Sequence, residues 1–161
     1  MFEHLLVPLD GSELAEAALP LATAVAEKFH SKITLVTAVQ VPYYVGEGLD
    51  FTKIHNDISQ NIEEETKQYL RQKQKDLIAQ GFQVNLEIVV GHPPADTILQ
   101  TAATHDVDTI VMSTHGRGGV LRWMLGSVAD MVLRKATVPV LLARVSPRHA
   151  AKASEAVLAN S

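Results

Sequence analysis

Residues Val111 to Ser127, V-M-S-T-H-G-R-G-G-V-L-R-W-M-L-G-S, concentrate the residue types that bind anions. Gly116, Gly118 and Gly119 surround Arg117, and Gly126-Ser127 follows at the head of an apolar helical pattern. Glycine lets backbone N–H groups approach a ligand closely, because no Cβ intervenes. A helix head adds unpaired N–H groups and the positive end of the helix dipole. No acidic residue lies between Asp108 and Asp130, whereas His115, Arg117 and Arg122 do; in a chain of net charge −4 this is a local reversal of sign. The chemistry on offer is a phosphate cradle. A second polar cluster, Asp10-Gly11-Ser12-Glu13, supplies a carboxylate at the end of an apolar run. Either Asp10 caps the following helix, with Glu13 completing a capping box, or Ser12 is the cap.

Regular elements must hold these loops. His4 to Leu9 reads as a short strand buried on both faces, stopped by Pro8, which lacks a ladder donor. Leu14, Ala18, Leu21, Val25 and Phe29 recur at helical spacing, with Pro20 as a candidate kink. Ile33 to Val39 is a second, β-branched strand. Gln40 to Asn56, with Pro42, Tyr43, Tyr44, Gly46 and Gly48, reads as a long loop: a lid, a dimer contact or a surface excursion. Asp57 to Gln80 is a polar helix with Ile58, Ile62, Tyr69, Leu70 and Leu77 inward, closed by Gly81. Val84, Leu86, Ile88 and Val90 alternate as a third strand, broken by Gly91-His92-Pro93-Pro94. Ala95, Ile98, Leu99, Ala102 and Ala103 face inward from the next helix. Val107 to Met112 is the fourth strand, Val128 to Lys135 outlines the last main helix, and Val138 to Val145 is the fifth strand. Residues 1–145 therefore form one domain, followed by a loosely ordered tail, 146–161.

The alternation of strand and helix predicts an α/β fold: a doubly wound parallel sheet with helices on both faces. Ligands of such folds sit beyond the carboxyl ends of the strands, where the winding reverses. The loops after the first and fourth strands face one another there if those strands are neighbours.

Composition narrows the function. With 161 residues, 47% hydrophobic and 20% charged, the chain suits one globular domain. Mild acidity argues against a nucleic-acid binder. The absence of Cys removes disulfides, thiol catalysis and Cys-ligated metals, and it fits a cytoplasmic setting. The start carries no basic, apolar leader, and no run approaches the ~18 apolar residues of a membrane span. The Walker A pattern is missing, as is the dinucleotide fingerprint, since Gly116-Arg117-Gly118-Gly119 lacks G-x-G-x-x-G spacing. Neither Ser113 nor Ser127 sits in G-x-S-x-G. His105-Asp106-x-Asp108 has a faint look of a metal site; the preferred reading is a helix C-terminus and a turn. Trp123 is read as packing or a dimer contact.

The spacing Ser113, Thr114-His115, Gly116, nine residues, Gly126, Ser127 resembles G-x2-G-x9-G-[ST] of the single-domain, ATP-binding universal stress proteins. V-P-L-D-G-S near the start, Gly91-His92-Pro93 and the closing V-P-V-L-L are similar too, so the likeness spans about residues 2 to 145. Ser113 stands where that family has glycine. The resemblance implies five strands in the order 3-2-1-4-5, as in the adenine nucleotide alpha hydrolase-like folds, and a homodimer through the last strand. It implies that Pro8, Leu9 and Asp10 border the ribose and adenine, with Asp10 near ribose hydroxyls or a Mg²⁺ ion. It places Ala38 and Met112 beside the base and ribose, followed by Ser113. His115, Gly116, Arg117, Gly119, Gly126, Ser127 and Val128 would surround the phosphates.

Three functions follow: an ATP-binding regulatory protein of the stress response, a slow ATP hydrolase or phosphotransferase, and a nucleotide-free interaction module. No general base is evident near a γ-phosphate, no Lys stands in the cradle, and no paired carboxylates suit two metals. The expectation is ATP binding with little or no hydrolysis.

Overall fold

Pro8 ends the first strand, as its missing N–H requires. The computed structural model describes residues 1–40, 49–116 and 125–144, with backbone alone at 49–57. Five strands, β1 (His4–Pro8), β2 (Lys32–Val39), β3 (Val84–Val90), β4 (Thr109–Ser113) and β5 (Val140–Ala143), form one sheet in the order β3-β2-β1-β4-β5. Every pairing is parallel. The helices are α1 (Glu13–Glu16), α2 (Leu19–Phe29), α3 (Leu49–Ala79), α4 (Pro94–Thr104) and α5 (Ser127–Lys135).

Strand alternation sends β1 side chains to two cores. Leu5 and Val7 join Ala18, Ala22, Ala26, Leu70 and Leu77 beneath α1, α2 and α3. Leu6 joins Ala95, Ile98, Ala102, Ala129 and Val132 beneath α4 and α5. Both faces of the sheet are thus covered, which explains the uninterrupted apolar run in β1. The winding reverses between β1, whose other neighbour is β2, and β4, which leads to β5.

Several boundaries differ from the sequence reading. The first helical stretch is two helices. Pro20 cannot donate to the carbonyl four residues back and its ring clashes there. The chain instead closes tight turns, Ala17 N–H to Leu14 O and Ala18 N–H to Ala15 O, before α2 begins. The fully buried stripe is Ala18, Ala22 and Ala26, with Leu21 and Val25 partly buried against the same core; Phe29 is half exposed and lies against Phe2, ring centroids 4.9 Å apart. The long helix starts at Leu49 rather than Asp57, so Leu49 to Asn56 are helical and not loop. Residues 41–48 of the expected loop, and the tail beyond Arg144, lie outside the described residues. In α4 Thr97 and Thr101 are buried, whereas Ala103 is exposed. Val107 precedes β4, because its N–H turns back to Ala102 O. β5 begins after Pro139, whose carbonyl still accepts from Ile110 N–H. Gly81 closes α3 as expected: at φ +95° its N–H reaches Ile78 O, and Phe82 N–H reaches Leu77 O.

The amino ends of the strands carry two titratable anchors. His4 is buried, and a 2.8 Å hydrogen bond joins its Nε2 to Thr34 Oγ1. Burial, reinforced by Lys32, holds its imidazole below the ordinary histidine pKa. Asp108 accepts from the Phe2 and Glu3 N–H groups at 2.9 and 2.8 Å. Burial pushes its carboxyl up, but the N–H donors of Glu3 and Phe2 and the Thr109 hydroxyl together hold it below the usual carboxylate value. Asp108 therefore ties the start of the chain to the entry of β4, and His105 ends α4 with Nε2 3.6 Å from Glu87. Among the described residues no group of three His, Asp or Glu side chains is placed to hold a metal ion.

Candidate functional site

A cavity of about 530 Å³ opens at the carboxyl ends of β1, β2 and β4, where the winding reverses. This is the position at which doubly wound sheets hold ligands, and the volume suits a nucleotide-sized molecule. Pro8, Leu9 and Asp10 leave β1 along one side. Asp10 Oδ1 accepts from Ser12 N–H at 2.9 Å and from Ser12 Oγ at 2.6 Å. Ser12, not Asp10, is the cap of α1: its Oγ accepts from Ala15 N–H at 3.1 Å. The Asp10 carboxylate is thereby oriented by the cap, and it is the only carboxylate of the cavity wall among the described residues.

On the opposite side, β4 delivers Met112 and Ser113, both buried. Beyond the strand, Thr114 N–H bonds to Ala143 O at 3.1 Å, and Thr114 O accepts from Gly126 N–H at 2.9 Å. Those two bonds fix the loop between β5 and the head of α5. Gly126 is the N-cap of α5 and has no side chain to cap it. The N–H groups of Ser127, Val128 and Ala129 have no partner within the helix, as in any first turn. All three residues line the cavity. An added Cβ at Gly126 would stand 3.0 Å from Thr114 O, so glycine permits the loop and the helix head to meet.

Ser113 answers for its own substitution. Its Oγ accepts from His115 N–H at 3.2 Å, which withdraws one backbone donor from the cavity. His115 Nδ1 lies 2.9 Å from Thr114 Oγ1, and its Nε2 is buried without a partner among the described residues. Uncompensated burial of a ring nitrogen carries a cost, which a ligand oxygen would offset.

Of the residues singled out in the sequence, Pro8, Leu9, Asp10, Ala38, Met112, Ser113, His115, Gly116, Gly126, Ser127 and Val128 all border this one cavity. Arg117 and Gly119 lie outside the described residues, as do Gly118, Arg122 and Trp123. Sequence reasoning missed Thr37, Gln40, Ile62, Thr66 and Ile98 of the wall. Thr37 and Gln40 flank Ala38 at the end of β2; Thr37 Oγ1 donates to Leu9 O, binding the two strand ends together. Ile62 and Thr66 are one helical turn apart on α3, and only the tertiary path of that helix brings them to the cavity.

Comparison with known proteins gives a consistent picture. Residues 1–144 match the profile of the universal stress protein family. The chain is 31% identical over 144 residues to universal stress protein MJ0531 of Methanocaldococcus jannaschii, covering 89% of this chain and 83% of that one. It is 32% identical over 149 residues to a universal stress protein of Thermus aquaticus, covering 89% of this chain and all of the other. The solved structure of MJ0577 from M. jannaschii superposes with a TM-score of 0.80 at 29% identity, covering 91% of this chain and 99% of that one. UspA of Lactobacillus plantarum follows at a TM-score of 0.77 and 25% identity, covering 89% and 98%.

Proposed function

Because the chain belongs to the universal stress protein family, we propose that it is a nucleotide-dependent regulator of the stress response, binding ATP at the carboxyl ends of β1 and β4 with little or no hydrolysis. One observation carries the reading: the uncapped head of α5 presents its unpaired N–H groups to a nucleotide-sized cavity whose wall among the described residues holds a single carboxylate.

In this reading the phosphates lie against Gly116, Gly126, Ser127 and Val128, with His115 Nε2 donating to one of their oxygens. Arg117 and Gly119 are assigned to the same end from the resemblance. Adenine and ribose occupy the apolar part between Pro8, Leu9, Ala38 and Met112. A Mg²⁺ ion brought with the nucleotide is held chiefly by phosphates and water, with Asp10 as the protein's carboxylate. No second carboxylate stands in the described wall to hold another metal or activate water, which favours retention of ATP over turnover. Calorimetric titration with ATP and Mg²⁺ tests the proposal; absence of heat at high micromolar nucleotide contradicts it.

The same reading includes a homodimer through β5. Pro139 O and Thr114 N–H to Ala143 O bind β5 to β4, so alternation directs the backbone groups of Val140 and Leu142 to the outer edge. That edge pairs with no strand among the described residues. Val140, Leu141 and Leu142 are only partly buried, which suits a covered edge.

A further inference from the structure

A polar clamp outside the cavity joins α1 to α3, the helix that contributes Ile62 and Thr66 to the cavity wall. Glu16, the last residue of α1, uses both carboxylate oxygens. Oε1 accepts from the Tyr69 hydroxyl at 2.9 Å, and Oε2 accepts from Lys73 Nζ at 2.6 Å. Lys73 Nζ also lies 5.5 Å from the centroid of the Tyr69 ring. The charged partners are 25% and 28% exposed, so the pair is better shielded than an ordinary surface ion pair.

The clamp joins two elements that both border the cavity. On α3, Ile62, Thr66, Tyr69 and Lys73 follow one another at four-, three- and four-residue spacing, one stripe of the helix. Ile62 and Thr66 face the cavity, and Tyr69 is seven residues, about 10 Å, beyond Ile62. Leu70 and Leu77, on either side of Lys73, anchor α3 in the core, whereas Ile62 is only half buried. Glu16 thus supplies a polar tie to α3 one to two turns beyond its cavity-facing residues. Its own helix, α1, is a single turn that carries Ala15 in the cavity wall and starts from the Ser12 cap holding Asp10. One turn has little stability of its own, so it depends on such ties.

We propose that Glu16 is a positioning residue: by locking α1 to Tyr69 and Lys73, it holds the Ile62–Thr66 stretch of α3 over the cavity and sets how fast bound nucleotide leaves. The proposal rests on the nucleotide reading above. Glu16 touches no ligand in it. Loss of the clamp loosens α1 and the adjoining stretch of α3 toward Ile62, which opens the exit. Release therefore accelerates, while association changes little.

The test is stopped-flow displacement of a fluorescent ATP analogue, with Mg²⁺, from the full-length wild type and from Glu16→Ala, Tyr69→Phe and the charge-exchanged double variant Glu16→Lys/Lys73→Glu. Glu16→Ala should release the analogue about tenfold faster with association altered less than about twofold. Tyr69→Phe should fall between it and the wild type. The double variant, which restores the ion pair in reverse, should recover most of the slow release; a residue that merely stabilises the fold would not give that pattern. Hydrogen exchange in the absence of nucleotide should be faster at residues 58–66 of Glu16→Ala than of the wild type. Wild-type-like release from Glu16→Ala, or no recovery in a folded double variant, overturns the proposal alone. A wild type that binds no analogue overturns the nucleotide reading and the proposal with it.

Discussion

The Asp10 carboxylate fills the space that a Cβ on Gly116 would occupy, with Asp10 Cγ 3.4 Å from that point. The turn after β1 and the loop after β4 are therefore in contact, and the contact requires glycine on one side. Asp10 cannot yield freely, because Oδ1 is held by Ser12 N–H and Oγ.

Gly116→Ala should push Asp10 away from Ser12 and loosen the cap of α1. Losing those bonds costs about 1–2 kcal/mol of stability. Nucleotide affinity should fall as well, since both loops border the cavity. Urea unfolding and calorimetry on the same variant check this; unchanged values in both contradict the packing relationship.

Ser113→Gly should act in the opposite direction on binding. Removing the hydroxyl frees His115 N–H for a ligand oxygen. Affinity for ATP should rise by a few-fold, while the glycine costs about 0.5–1 kcal/mol of fold stability because it sits in β4. A fall in affinity at preserved fold would show that the hydroxyl itself serves the ligand.

Stability should decline as the pH drops below about neutrality. The folded-state pKa of His4 is lowered by burial from its ordinary 6.5, so the unfolded chain takes up a proton that the fold resists. The full contribution is present above 6.5 and is lost as pH falls from there toward the lowered value. One such proton changes stability by at most about 1.4 kcal/mol per pH unit. Asp108, also lowered, adds a second loss only below its ordinary 3.8. Urea midpoints across this range measure the effect, and His4→Leu should flatten the upper part of it.

Val140→Pro should convert a dimer to a monomer. The substitution removes an outward N–H at the first residue of β5, a strand position proline tolerates. Light scattering should give twice the 17.5 kDa chain mass for the wild type and once that mass for the variant. A wild type at the mass of one chain contradicts pairing through β5.

Much of the architecture was legible because punctuation residues act locally. Pro8 stops β1, Gly81 closes α3, and Pro94 starts α4, each for a reason contained in a few residues. The spacing from Ser113 to Gly126-Ser127 could likewise be read directly, since Thr114 O and Gly126 N–H meet where that spacing brings loop and helix head together. Other features were harder to read. Pro20 marked a candidate kink, but the alanine-rich stretch before it fits any helical phase, so the full break after Glu16 could not be placed. The start of α3 at Leu49 was obscured by Gly46 and Gly48 immediately before it. The contribution of Ile62 and Thr66 to the cavity follows from the path of a whole helix, which no local pattern encodes.

If the uncapped head of α5 cradles the phosphates of ATP, a side chain at Gly126 should weaken binding. Isothermal titration of the wild type and of Gly126→Val with ATP and Mg²⁺ tests it most directly. The backbone at Gly126, φ −60° and ψ 147°, accepts any residue, so the variant should fold. Its side chain, however, enters the narrow space beside Thr114 O. The wild type should give saturable heat, and the variant should bind at least about tenfold more weakly, about 1.4 kcal/mol. No heat from the wild type, or equal affinity in both proteins, would contradict it.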